Sequence, residues 1–346
     1  MTDICVAVSP SGAILLGPDV SADGFHRDSK IRIQTHVHSD HMSDFESSKG
    51  FHILLMSKPT FQLLVNEKNA DLPWRTNIVP LDWQEAYTLA DGTSVMLVQS
   101  EHMLGAAQAS VTLSSGKRVG YSGDFSWPLA NPIAVEELVL DCTYGSRESI
   151  RRYTQGQADD ALLQLVCDGL KSGPVFLKCH RGTVERALSV LEGDVDAPVI
   201  TNARTIADIE VHRWNGYTIG PVLDIESPGG KAACKSGRYI RIYGRGDRGK
   251  PPEIPVCAHN IVLSAMMVPG NAGPLVSYGP RSYRIALSNH ADFEGTLQYV
   301  VATGASYVLV DNSRHGNAVE LAEAIRTDLG IAASASIVVS DLRWGA

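Results

Sequence analysis

The sequence predicts an α/β protein in which a strand-rich, metal-binding portion is interrupted by an inserted α/β domain. Three observations predict it. Short β-rich runs end repeatedly in polar residues able to bind metal, helical periodicity strengthens toward the C-terminal half, and a stretch with glycine and proline clusters separates two regions rich in histidine and aspartate.

The strand signals fall at residues 31–35, 94–100, 111–114, 118–122 and 138–141, each delivering a polar cluster at its end. Amphipathic helical periods fall at 158–170, 183–191, 293–301 and 318–329. The dividing stretch carries Gly/Pro clusters at 227–230 and 249–252, so residues 151–281 are expected to form the insert and residues 1–150 with 282–346 the metal-binding domain.

Composition sets the class. The 346 residues are 44% hydrophobic and 20% charged, as in an ordinary globular chain with ample material for a core. Six scattered cysteines, with no C-x-x-C pair, indicate reduced thiols rather than a disulfide framework or a cysteine zinc site. The N-terminus has no basic segment followed by an apolar run, and no stretch approaches the ~20 apolar residues of a membrane span, so a cytoplasmic location without membrane contact is expected. A formal net charge of −8 argues against a protein that coats nucleic acid non-specifically, but not against a nuclease whose metal ions supply positive charge where the cut is made.

The chemistry is concentrated in Thr35-His36-Val37-His38-Ser39-Asp40-His41, directly after a strand signal. On an extended segment His36 and His38 share one face, because side chains alternate with period two, and one ion can take both. Asp40 and His41 then face a second ion across a turn. This nitrogen and oxygen set suits zinc, and the absence of thiolates points to an open catalytic site rather than a closed structural one. Two further strand ends supply His102, in Glu101-His102-Met103-Leu104-Gly105, and Asp124, in Gly123-Asp124-Phe125. Either residue alone reads as an ordinary loop residue; beside the first motif both read as ligands, with Asp124 suited to bridge two cations.

This order and spacing resembles the metallo-β-lactamase superfamily. Leu140-Asp141-Cys142-Thr143-Tyr144-Gly145, Ser288-Asn289-His290-Ala291-Asp292 and Arg314-His315-Gly316 are further similar to the three additional motifs of its β-CASP nucleases. Length and layout are most similar to the ligase-associated DNA exonucleases of bacteria, with RNA 3′-end processing enzymes as relatives. The resemblance implies an αβ/βα sandwich with a β-CASP-like insert and a nuclease acting on single-stranded DNA ends in repair. RNA exo- or endonucleolytic processing is the alternative, and a small-molecule metallohydrolase a further one. It also implies a ligase or helicase as partner.

The same resemblance implies residue roles. His36, His38 and His102 hold one ion; Asp40, His41 and His315 hold the other; Asp124 bridges them. Asp141 orients a ligand histidine, and His290 acts as general acid or as donor to the phosphate. Two divalent ions, zinc or alternatively manganese, ~4 Å apart would generate hydroxide as nucleophile and stabilise the attacking and departing oxygens. Catalysis is thus assigned to Asp40, Asp141 and His290. Residues Asp311-Asn312-Ser313-Arg314 separate the last strand signal from His315, so Asp311 or Asn312 stands as the alternative at that coordination position.

Nucleic-acid contacts are expected from Arg181, a guanidinium at a strand-to-helix junction, and from a basic strip containing Arg238, Arg241 and Arg245 interleaved with Tyr239 and Tyr243. The same strip also reads as a solvated hairpin. His180 reads as a satisfied loop residue, and His26, His52, His212 and His259 carry no motif context.

Overall fold

The computed structural model describes residues 4–68, 71–244, 247, 252–266, 273–314 and 316–336. It is a mixed α/β structure of two compact units, Met1–Ile150 with His290–Ala346, and Arg151–Asn289.

The first unit contains two sheets. One runs in chain order through Val6–Val8, Ile14–Leu16, Val20–Ala22, Ile31–Ile33, Ile53–Ser57 and Ile78–Leu81, antiparallel at first and parallel from Val20–Ala22 onward. The other is ordered Ala332–Ala335, Tyr307–Val310, Glu137–Leu140, Arg118–Tyr121, Ala107–Thr112, Ser94–Gln99 and Ala86–Thr88. Its first four strands are mutually parallel and the rest antiparallel. Strand alternation builds two cores from this second sheet. Val139 and Leu309 join Ile14, Leu16, Ile31, Ile33 and Leu55 of the first sheet. Leu138, Leu140, Val308 and Val310 face the opposite way, onto Phe293, Tyr299 and Val300 of helix Phe293–Thr303 and Leu321 and Ile325 of helix Ala318–Leu329. Each large side chain so buried contributes ~1.5–3 kcal/mol.

Parallel pairing places the C-terminal ends of Arg118–Tyr121, Glu137–Leu140 and Tyr307–Val310 along one edge, which therefore carries Asp124, Asp141 and Asp311. Antiparallel pairing of Tyr121 with Ala109, and of Gln99 with Ala107, brings the loop holding His102 to the same edge. Ala107 N donates to Thr35 O at 3.1 Å and joins the end of the first sheet to it. One expected strand shifts: the run at 111–114 belongs to Ala107–Thr112, because Ser114 to Gly116 form a turn closed by Gly116 N on Leu113 O. Small residues Ala107 and Ala109 give little β signal, yet both fill the space between the sheets.

In the second unit the sheet is ordered Val222–Asp224, Val199–Thr201, Ile240–Gly244, Val175–Cys179, His259–Ser264, Ser282–Ala286 and Leu275–Gly279, parallel except for the last pairing. Ser282–Ala286 pairs along its whole length with His259–Ser264, so it belongs here, and the return to the first unit lies at 289/290 rather than at the expected 281/282. Glycine and proline clusters mark turns, whereas strand partnership decides membership of a unit. Among the described residues no helix is long and apolar enough to cross a membrane.

Candidate metal centre

The loop bearing the histidine motif is fixed from beneath by buried polar side chains. Arg32, on strand Ile31–Ile33, is fully buried and donates to Ser48 Oγ at 3.2 Å and Gln34 Oε1 at 3.1 Å. The Gln34 amide then donates to the carbonyls of His36 at 2.7 Å and His41 at 3.0 Å, pinning both ends of the motif. Ser39–His41 forms a single 3-10 turn.

Within this frame His36, His38, His102 and Asp124 each offer one donor atom, all within 4.8 Å of one another. His38 Nδ1 and His102 Nε2 are 3.1 Å apart, and both His36 Nε2 and His102 Nε2 lie 3.5 Å from Asp124 Oδ2. On the other side of Asp124, His41 Nε2 is 3.0 Å from Oδ1 and 3.7 Å from Asp40 Oδ2. Asp124 thus stands between the two histidine sets. His36 Nε2 is buried and makes no hydrogen bond, and a cation beside it and the carboxylate would satisfy both. These buried His and Asp groups can hold a metal ion. Gly123 precedes Asp124 at φ +55, and a Cβ there would lie 2.6 Å from Ala107 O. Gly123→Ala is expected to lower stability by ~1–3 kcal/mol, measured by urea unfolding.

A second cluster adjoins. Asp124, Asp141 and His290 offer donor atoms within 4.8 Å of one another, with His290 Nε2 4.0 Å from Asp124 Oδ2. Asp141 is held by its amide on Ser122 Oγ at 2.9 Å, and its carboxylate accepts from Thr143 N and Oγ1. Asp292 caps helix Phe293–Thr303 by accepting from Gly295 N at 2.8 Å, which fixes the loop just after His290.

Burial and charge divide the titrating groups. Burial, then the neighbouring Asp124 carboxylate, pushes Asp141 up to about 8. Burial alone would raise Asp124 as well, but His41 and His36 hold it well below the usual carboxylate range. Burial disfavours a charged His41, yet Asp124 and Asp23 raise it well above an ordinary imidazole. His102 and His290 are lowered, chiefly by burial. The site therefore sets an ionised Asp124 among buried imidazoles, a set of donor atoms that suits a divalent cation.

Two sequence expectations change around the histidine motif. Whereas Asp141 accepts from Thr143, the carboxylate hydrogen-bonded to a histidine of the motif is Asp23, which accepts from His41 Nδ1 at 2.7 Å and which the motif pattern did not single out. Its one sequence signal is its place at the end of a β run before glycine; its distance of 18 positions from His41 hides the pairing. Asp311, the alternative at the last coordination position, spends its carboxylate on Ser313 N and Oγ and on Arg314. His315 lies outside the described residues, as does Arg245.

The expected nucleic-acid contacts change most. Arg181 is buried and pairs with the fully buried Asp208 at 3.1 and 3.2 Å, and Arg241 is buried on Asp247 at 2.7 Å. Tyr239 and Tyr243 pack around Phe176. Ile240–Gly244 is an interior parallel strand, so both its faces are covered, and a charge there is paired within the protein rather than presented to a phosphate. Arg238 is exposed and donates to Asp196 O. Asp208→Ala would remove the carboxylate that pairs with buried Arg181, and chemical unfolding is expected to show a loss of ~3–5 kcal/mol.

No known family model matches this chain. A relative from Acidianus ambivalens, described as an uncharacterized protein in the lig 3′ region, is 34% identical over 122 residues, which is 34% of this chain and 86% of that protein. Among solved structures, a protein of unknown function from Enterococcus faecalis V583 shares the fold with a TM-score of 0.54 at 15% identity, over 83% of this chain and 76% of that one.

Proposed function

The chain belongs to the same family as the Acidianus ambivalens protein of the lig 3′ region, and on that premise we propose that it is a two-metal phosphodiesterase of the metallo-β-lactamase superfamily, β-CASP branch, that trims single-stranded DNA. The observation that carries this reading is the position of Asp124 between His36, His38 and His102 on one side and His41 with Asp40 on the other. A relative whose gene lies in the lig 3′ region fits a repair nuclease that works beside a ligase, and single-stranded nucleic acid is the partner proposed.

Two divalent ions, zinc or manganese, would supply the activated water and the positive charge that phosphodiester hydrolysis needs. The chain's own residues do the rest. His36, His38 and His102 would hold one ion, Asp40 and His41 would hold the other, and Asp124 is close enough to both sets to serve either. A cleft of about 390 Å³ bordered by Ser39, Asp40, Ser43, Ser313 and Arg314 opens beside Asp40 and gives a phosphate chain access from the solvent side. His290, buried and close to Asp124, would donate a hydrogen bond to the departing oxygen. Asp141 adjoins the same atoms, its carboxylate held by Thr143 N and Oγ1.

The test is incubation of zinc- or manganese-loaded protein with end-labelled single-stranded DNA and RNA of one sequence. Trimming of DNA from an end supports the proposal, while cleavage of RNA alone reassigns the substrate. Cleavage of neither polymer, with hydrolysis of a thioester or lactone, would make this a small-molecule hydrolase.

A further inference from the structure

We infer that Arg186 is a positioning residue that grips Ser288 and Asn289 and so sets the backbone that carries His290. The role of His290 rests on the function proposed above; the grip on the two residues before it does not.

The grip is built from two helices of the second unit. Thr154 caps helix Gln155–Gly169 by accepting from Gln157 N at 3.1 Å, and Gln155 and Asp159, four positions apart, then share one face of that helix. Arg186 lies on helix Thr183–Leu191, whose Val184, Ala187, Leu188 and Leu191 are buried in the same core as Ala158, Leu162 and Val166 of the first helix. Arg186 Nη2 donates to Asp159 Oδ1 at 2.8 Å, and Nε donates to the same oxygen at 3.2 Å. Because the guanidinium is a planar fork, that pairing turns Nη1 to the other side, toward Gln155 Oε1 at 2.8 Å, Ser288 O at 3.0 Å and Asn289 Oδ1 at 2.9 Å. Two protons there serve three acceptors. Gln155 Oε1 also accepts from Ser288 N at 3.0 Å, so buried Ser288 is held through both its backbone groups.

The arrangement exceeds what an ion pair requires. Pairing with Asp159 uses only Nε and Nη2, whereas Nη1 and its acceptors in Ser288 and Asn289 take no part in it. Bonds from a charged donor are roughly twice as strong as neutral ones, and this guanidinium is half-buried. Along the chain His290 follows Asn289 directly. On its other side Ala291 N donates to Phe125 O at 2.8 Å, and Asp292 caps the next helix through Gly295 N at 2.8 Å. His290 thus stands between residues held on both sides. An imidazole that must meet a departing oxygen at hydrogen-bonding distance needs that restraint, since a displacement of ~1 Å can cost ~10²-fold in rate.

Arg186→Lys separates the grip from the ion pair. Lysine keeps a charge beside Asp159 but offers one nitrogen where arginine offers three, so it cannot occupy the positions of Nη2 and Nη1 together. Asn289→Ala removes one acceptor of the grip and leaves the pair with Asp159 intact.

The measurement is turnover of the metal-loaded full-length protein on end-labelled single-stranded DNA, for Arg186→Lys, His290→Ala and the double variant. Hydrogen–deuterium exchange of the peptide spanning 287–290 and elemental analysis of zinc accompany it. Arg186→Lys is expected to exchange faster at 287–290, keep its zinc, and lose ~10²-fold in turnover with KM little changed. The double variant should turn over no more slowly than His290→Ala alone, because a residue that acts only through His290 has nothing left to act on. Losses that multiply in the double variant, full activity in Arg186→Lys, or unchanged exchange at 287–290 would overturn the inference. Should Arg186→Lys not fold, Asn289→Ala, alone and combined with His290→Ala, decides it by the same comparison. Absence of cleavage by the wild type would remove the nuclease reading, and faster exchange in Arg186→Lys would then still establish the grip.

Discussion

Asp124→Ala protein is expected to lose most of its bound metal and at least ~10²-fold in cleavage rate, the scale seen when a preorganised charge-stabilising group is removed. The reason is geometric. Asp124 Oδ1 lies 3.0 Å from His41 Nε2, and Oδ2 lies 3.5 Å from both His36 and His102, so one truncation removes a carboxylate that faces both histidine sets. The fold should persist, because the two cores are built from strand and helix side chains that Asp124 does not join. Elemental analysis of the purified variant, beside gel assays at saturating zinc, separates the effects. Full activity in metal-replete Asp124→Ala would sink the two-metal reading.

His290→Ala is expected to behave differently, lowering turnover by ~10²–10⁴-fold while leaving the metal content near that of the wild type. His290 Nε2 is 4.0 Å from the nearest Asp124 oxygen, and its ring stacks at a tilt against His102 at 4.4 Å. It sits beside the proposed ligands rather than among those that surround His36. Burial lowers its proton affinity, which favours the neutral ring and leaves its N–H as a hydrogen-bond donor to the departing oxygen. Equal loss of metal and turnover would recast His290 as a ligand. Loss of turnover with an unchanged metal content is the result that assigns it to the departing oxygen.

Much of the site was legible because its signals are local. His36, His38, Asp40 and His41 lie within six positions, and the strand ends that carry His102 and Asp124 announce themselves by β-rich runs that break into polar residues. Helix Ala318–Leu329 was readable to its ends for a similar reason: an apolar period is framed by Asn317, which caps it through Glu320 N, and by Gly330 at φ 68. Arg241 and Arg181 failed for the opposite reason. An arginine among tyrosines suits a strand that lies against nucleic acid, but the same pattern suits a central strand whose rings fill a core, and only the sheet order distinguishes them.

By itself the sequence determined which donor chemistries exist and which strand ends present them, since side-chain type and backbone periodicity are properties of a few adjacent residues. The tertiary structure alone decided that Asp124 separates two histidine sets, that Asp23 rather than Asp141 is hydrogen-bonded to His41, and that Ser282–Ala286 belongs with the second unit. Those outcomes depend on distances and burial between residues far apart in the chain, and such distances are fixed only when whole sheets pair and pack.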